Sequence, residues 1–306
     1  MSTHAPQTER DAGSAGGPRQ ALADHLSLTK PRIVELLLVT TVPAMVLANG
    51  GWPGVALPAG VVLAGALTAG AAHGLNMVVD TDLDALMDRT RDRPLPSGRM
   101  SRRHAVLFAA ALAAAGLGLM LAIAGGLAAA LNAVALAWYV GIYTCWLKRR
   151  TDQNIVIGGV AGAIPPMIGW AAVTGDVSAT AVALFGVVVL WTPPHFWALA
   201  VAYRDDYARA GVPMLPVTRG VRATANHITW YAAATVACSL VVPLTSEALG
   251  WPVVAAVAAA GAWFVRATWR LRADPTRAGA LHAFKGSITY LAALFGILLV
   301  AGLLSP

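Results

Sequence analysis

The chain has 306 residues, of which 57% are hydrophobic and 12% charged, and its mean hydropathy is +0.63, whereas soluble domains carry roughly 25% charged residues. That balance excludes a soluble globular domain and indicates a polytopic membrane protein. The net charge is +7, so the placement of the basic residues decides whether nucleic acid is needed to explain it.

The first 25 residues are polar, contain Glu9, Asp11 and Asp24, and have no apolar run. Neither a signal peptide nor a transit peptide is expected. Residues 1–27 read as a flexible cytoplasmic tail, and 28–306 as one intramembrane domain. Apolar stretches near the length that crosses a bilayer, about 20 residues, follow at 33–49, 55–79, 104–124, 126–147, 155–174, 178–202, 225–246, 251–271 and 286–304. They predict an all-α bundle of about nine transmembrane helices. All 22 Lys and Arg fall at the chain start or in alternate connections, on one side of that arrangement. By the positive-inside rule the N-terminus is cytoplasmic and the C-terminus, after an odd number of spans, lies outside. A bacterial inner membrane is the expected location. Topology accounts for the positive charge, so lipid is an expected partner and nucleic acid is not. Cys145 and Cys238 are the only cysteines; they lie in apolar spans without metal-binding or redox spacing and read as packing residues.

The second span runs into "NMVVDTDLDALMDRTRDRPLPSGRM", Asn76 to Met100. Here Asn76, Asp80, Asp84 and Asp88 recur every four residues, and on a helix each such step turns by only about 40°. Neighbours in the series share a face, with Asp82 and Asp92 outside it. Crowded carboxylates raise one another's pKa, and each acid near the membrane centre costs about 2.5–3.5 kcal/mol. A divalent cation relieves both penalties. Oxygen ligands suit Mg²⁺, which is commonly shared between one or two carboxylates and substrate phosphates, and Arg89, Arg91 and Arg93 can fork onto phosphate oxygens. Together they describe a diphosphate site at the cytoplasmic surface; a salt-bridged loop and an ion pathway are the other readings.

Further along, "LKRRTDQN" adds Lys148 and Arg149 at the end of the fourth span, where such a stretch taken alone is most often a positive-inside anchor. "WTPPHFWALAVAYRDDYARAGVPMLPV" places His195 within an apolar span, about two turns before Tyr203, Asp205 and Asp206. An intramembrane histidine is a functional candidate, and a hydrogen-bonded structural histidine is the alternative. Trp191, Phe196, Trp197 and Tyr203 suit a flat ligand or simple packing, and His73 suits either role. Glu35 is assigned none. The second and sixth spans each run into an acidic loop, and the fourth and eighth each end in a basic cluster. This suggests two related four-span halves plus a ninth helix, with both acidic loops at one mouth.

The Asn-x3-Asp-x3-Asp-x3-Asp series followed by "RTRDRPLPSGR" resembles the signature of the intramembrane UbiA-type prenyltransferases, specifically their protohaem IX farnesyltransferase (haem O synthase) branch. "LTKPRIVELLLVTT", "YTCWLKRRTDQNIVIGGVAGAIPPMIGW", "PHFWALAVAYRDDYARAGVPMLPV" and "FKGSITYL" are similar to that branch in the same order. Val78 and Thr81 depart from the family's usual residues, and Asp205 and Asp206 are adjacent where the wider family spaces its acids; Asp206 is the better match.

The resemblance implies transfer of a farnesyl group from farnesyl diphosphate to a vinyl group of haem B, giving haem O. Asp80 and Asp84, with Asn76 and Asp88, would hold Mg²⁺, and Arg89, Arg93, Lys148 and Arg149 would hold the diphosphate. His195 would contact haem iron, Tyr203 and Asp206 would close the pocket, and a haem A synthase or terminal oxidase assembly partner would receive the product. Competing readings are a quinone-precursor prenyltransferase, an ion-coupled secondary transporter and a non-catalytic assembly factor.

Overall fold

Inside hydrocarbon every backbone N–H and C=O must find its partner within the chain, and helices do this locally. The computed structural model describes residues 17–30, 32–246 and 249–304, with backbone alone for 32–38, and among them there is no strand. The elements are α1 (Pro18–Thr29), α2 (Arg32–Asn49), α3 (Ala56–Val79), α4 (Thr81–Leu86), α5 (Arg102–Ala137) continuing as a π-helix (Trp138–Leu147), α6 (Asn154–Gly158), α7 (Val160–Ala163) and α8 (Pro165–Thr174). Then come α9 (Ala179–Ala202), α10 (Arg204–Arg209), α11 (Leu215–Thr218), α12 (Gly220–Val241) with a 3₁₀ turn (Val242–Leu244), α13 (Trp251–Ala273) and α14 (Arg277–Leu304).

Among the described residues seven helices are long and apolar enough to cross a membrane, and Val39–Asn49 of α2 is a shorter apolar helix. The longest, Arg102–Leu147, has 46 residues. Straight, it would extend about 69 Å at 1.5 Å per residue, more than twice the roughly 30 Å hydrocarbon core. Gly125 breaks it, with φ 80 and ψ 179, a left-handed value that only glycine adopts cheaply. The stretches 104–124 and 126–147, expected as separate spans, lie on either side of that break.

Small residues set the packing distance. α3 lies along α5, where a Cβ at Gly116 would sit 2.8 Å from the Ala64 carbonyl, and the buried Asn132 amide donates across to Thr68 Oγ1 at 2.9 Å. α8 packs on α2, α5 and α9; α9 packs on α12 and α14; α14 returns to α2. The helices therefore close on themselves around an apolar core that includes Leu184, Val187, Trp191, Tyr290 and Phe295.

Two features bear on the expected halves and tail. α3 and α9 each have 24 residues, and each is followed, after one non-helical residue, by a six-residue helix, α4 and α10. The intervening residues are Asp80 (φ −92, ψ 12) and Tyr203 (φ −120, ψ 28), so the same break recurs in both halves. α1 begins at Pro18, inside the stretch expected to be a flexible tail, and packs against α3; residues 1–16 lie outside the described ones.

Candidate active site

Two breaks in the helical ladder build the site. The first, at Asp80, turns α4 so that Asp80 and Asp84 are both buried, 1% and 3% exposed. The second is Met87, which is extended (φ −104, ψ 128) and ends α4. The four-residue series therefore stops at Asp84. Asp88, expected as a further metal and substrate ligand, stands on the surface with 69% of its side chain exposed, paired with Arg209 at 2.8 Å and Arg91 at 3.5 Å. Like-charge repulsion and the loss of helical phase after Leu86 keep it away from the buried pair.

Each buried carboxylate meets a cation from elsewhere in the chain. Lys148 Nζ donates to Asp80 Oδ2, and Asn76 Nδ2 donates to the same oxygen at 2.7 Å and to Thr144 Oγ1 at 3.2 Å. Arg93 Nη1 donates to Asp84 Oδ2 at 2.7 Å, while Thr90 Oγ1 donates to the Asp84 carbonyl at 2.9 Å. Asp80 Oδ1 is buried and has no hydrogen-bond partner among the described residues. The Arg149 guanidinium is 3.8 Å from it, within reach of its charge but too far for a hydrogen bond.

The π-helix positions two of these groups. Lys148 N–H donates to the Tyr143 carbonyl, five residues back, at 3.0 Å, and Thr144 Oγ1 donates to the Tyr139 carbonyl at 2.9 Å. π-helical turns are rare overall and frequent at functional sites, and this ten-residue stretch presents Thr144 and Lys148 to the end of α3. One turn deeper, buried His73 hydrogen-bonds Tyr139 Oη through Nδ1 at 3.1 Å, which makes it a packing partner of the π-helix.

Lys30 joins the site without having been expected there. It caps α1 in the left-handed conformation (φ 48). Burial is the main cause that lowers its ammonium to a pKa of about 7; nearby Arg93 and Lys148 act the same way and Asp84 opposes them. On the outer side Arg149 forks onto Asp82 at 2.7 and 2.8 Å, and that hydrogen bonding holds the Asp82 carboxyl at about 2. Arg149 also donates to the Val79 carbonyl at 3.2 Å and Arg102 to that of Val78 at 2.9 Å, so both cap the negative end of the α3 dipole.

The loop after α9 faces this cluster but brings different chemistry. The Tyr203 ring lies 5.8 Å from the Arg89 guanidinium carbon and 5.5 Å from that of Arg277, and the Arg89 charge also acts on the Tyr207 hydroxyl. Counted from the shared break, Tyr203 and Tyr207 occupy the places of Asp80 and Asp84. Asp206, expected to close the pocket, is bound by Arg209, which also reaches Asp88 at 2.8 Å; its carboxylate ties the two loops together. Asp205 is exposed.

His195 lies apart from the acids. Its ring stacks on Trp191 with centroids 4.3 Å apart and lies 4.6 Å from Phe284, and Nδ1 meets Ser287 Oγ at 2.8 Å. The Ser287 hydroxyl donates its one proton to the Phe284 carbonyl at 2.6 Å, so toward His195 its oxygen accepts and Nδ1–H donates. In the neutral ring this leaves the lone pair on Nε2. Trp197 is fully buried and serves packing, while Phe196 is 41% exposed.

Residues 37–289 match the model of the UbiA prenyltransferase family. The chain belongs to that family. It is 47% identical over 296 residues to the protoheme IX farnesyltransferase of Clavibacter michiganensis subsp. michiganensis, with 95% of both chains covered. It is 50% identical over 299 residues to protoheme IX farnesyltransferase 1 of Saccharopolyspora erythraea, covering 96% of this chain and 95% of that one. Its fold is like that of a solved structure described for digeranylgeranylglyceryl phosphate synthase, with TM-score 0.75 and 18% identity over 93% of this chain and 99% of the other. A UbiA homolog from Archaeoglobus fulgidus bound to GPP and Mg²⁺ gives TM-score 0.65 at 18% identity, covering 90% and 99%.

Placed in the UbiA family, the protein is a prenyltransferase, and its site can be tested for a divalent ion. No group of three or more His, Cys, Asp or Glu side chains gathers for a metal among the described residues, which corrects the expectation that Asp80, Asp84 and Asp88 act as one set. Two carboxylates remain, one with a buried oxygen that lacks a partner. That fits Mg²⁺, which takes one or two protein carboxylates and completes its shell with phosphate oxygens and water. Lys30, Thr144 and Tyr207 are site residues that the sequence does not single out: each lies within a family-like stretch, "LTKPR", "YTCWLKRR" and "YRDDY", but no spacing or charge pattern distinguishes it there.

Proposed function

We infer that this protein transfers a farnesyl group from farnesyl diphosphate to a vinyl group of protohaem IX, forming haem O. The observation that carries the reading is the buried Asp80–Asp84 pair, with its unsatisfied Oδ1, set among Lys30, Arg93 and Lys148 at one end of an apolar bundle. Relatives matching over nearly the whole chain are named protoheme IX farnesyltransferase, which supports haem over a quinone precursor. A transporter reading loses support because the acids sit at a helix end beside phosphate-type cations.

In this reading Asp80 and Asp84, steadied by Asn76 and Arg93, would hold Mg²⁺, which when bound would supply Lewis-acid stabilisation of charge on the departing diphosphate. Lys148 and Arg93 bind its oxygens directly, with Arg89 and Arg149 at the rim, and act as fixed charges where negative charge grows; Lys30, whose ammonium is lowered to about 7, joins them when the bound diphosphate holds it protonated. Asp88 serves the loop closure and is not an ion ligand. The C–O bond to the diphosphate breaks, and the apolar bundle keeps water from the allylic cation until the terminal vinyl carbon attacks it; water adds to the cation this leaves on the vinyl carbon beside the porphyrin and loses a proton to solvent. Tyr203 and Tyr207 bring aromatic and hydroxyl surface to the second side of the mouth. His195 offers Nε2 to haem iron, oriented through Nδ1 by Ser287, as second-layer partners commonly orient metal-binding histidines.

The proposed setting is a bacterial inner membrane crossed nine times, with the N-terminus and the acidic mouth in the cytoplasm, and with a haem A synthase or oxidase assembly factor receiving the product. Purified protein given Mg²⁺, farnesyl diphosphate and haem B should yield farnesylated haem by mass spectrometry, and Asp84→Asn should not at matched times. Absence of that product from the wild type, or equal rates in the variant, overturns the mechanism. Haem B added to Ser287→Ala should give an altered Soret band, a readout independent of turnover.

A further inference from the structure

We propose that the groove between α12 and α13 is a binding site for an anionic phospholipid, with an acyl chain in the groove and the phosphate on Arg266 and Arg270. The groove has a volume of about 680 Å³, is floored by Val236, Leu240, Ala258 and Ala262, and ends at Arg266, Trp269 and Arg270. Gly261 makes the floor: a Cβ there would run into Val236, so the two helices touch at its base, and Thr229 Oγ1 reaches the Thr268 carbonyl at 3.5 Å behind the arginine end.

Length and charge identify the occupant. Ala258 to Arg270 is twelve helical steps, about 18 Å along the axis, close to the roughly 15 Å depth of one leaflet's hydrocarbon. The apolar trough therefore begins near mid-membrane, and its arginines stand at headgroup level on the basic side. Arg266 and Arg270 are exposed and make no ion pair among the described residues, whereas Arg93, Arg149, Arg209 and Arg219 each hold a carboxylate. Arg272 covers the Trp269 ring at 4.3 Å, and tryptophan at this depth is an interfacial anchor. Two free guanidiniums above an acyl-length trough complement a lipid with net negative charge, as basic pockets between membrane helices do. A zwitterionic lipid would bring its own cation to the arginines. No residue of the acid site lies on this groove, so the lipid is distinct from the prenyl substrate.

Native mass spectrometry of the protein released from nanodiscs of equal phosphatidylglycerol and phosphatidylcholine tests this. The wild type should retain one phosphatidylglycerol, and Arg266→Gln with Arg270→Gln should retain it about thirtyfold more weakly, the product of two basic contacts. Ala262→Trp, which fills the trough and leaves both arginines, should also expel it; glycerol phosphate added without an acyl chain should not compete. Equal retention of both lipids, wild-type retention by either variant, or displacement by glycerol phosphate overturns the proposal. So does a dimer that disappears with Ala262→Trp, because a second copy would then be the occupant.

Discussion

Replacing Lys148 with methionine removes the cation facing Asp80 while keeping most of the side chain's apolar bulk. The Asp80 side chain is 1% exposed and that of Lys148 16%, so solvent replaces little of the lost partner. At an effective dielectric of about 20, two unit charges roughly 4 Å apart attract by about 4 kcal/mol. Breaking one side of such a pair costs about 3–5 kcal/mol, because the remaining charge stays buried. Asn76 still donates to Asp80 at 2.7 Å, and the Arg149 guanidinium stands 3.8 Å away, so the lower end, about 3 kcal/mol, is expected. At about 2–4 °C per kcal/mol, the melting temperature should fall by about 6–12 °C, read by intrinsic tryptophan fluorescence in detergent. Adding Asp80→Asn should recover most of that loss, since no uncompensated charge remains. Activity should behave oppositely: both the single and the double variant should lose about 10²–10³-fold in kcat, as when one transition-state donor is removed. A single variant melting within about 2 °C of wild type, or a double variant melting no higher than the single, would refute the assignment of Lys148 as the counter-charge of Asp80.

Asp84→Asn should lower kcat/KM by at least about a hundredfold, whereas Asp88→Asn should stay within about fivefold, the scale of an exposed ion pair; steady-state kinetics at saturating Mg²⁺ separate them, and equal losses would restore Asp88 to the site. Lys30, with its ammonium at about 7, should be acylated at pH 7.5 faster than the exposed Lys285, and farnesyl diphosphate should protect it; peptide mapping reads both. The Asp82 carboxyl should titrate at about 2 and return toward its ordinary value in Arg149→Met, measured by infrared difference spectroscopy. Because its folded pKa is depressed, the stability from that pair is present above about pH 4 and is lost as pH falls through about 2. With 63% of the Asp82 side chain exposed, that contribution is small.

Composition and period determined much of this protein without any coordinates. The apolar runs mark the spans because a helix must be about 20 residues long to cross hydrocarbon, and Asn76, Asp80 and Asp84 were legible because a step of four keeps neighbours on one helical face. The ordered motifs also pointed to the UbiA family, since they extend along most of the chain. The same periodicity misled at Asp88, because it assumes an unbroken helix, and the breaks at Asp80 and Met87 carry no residue signal as plain as proline or glycine. Only the tertiary structure brought Lys148 across 68 positions to Asp80, using a π-helix whose wider turn no hydrophobic pattern announces. It alone brought Lys30 and Tyr207 to the mouth and gave Asp206 to Arg209. Sequence spacing reports which side chains share one element; which elements face each other depends on the packing of helices whose lipid-facing and core-facing sides are almost equally apolar.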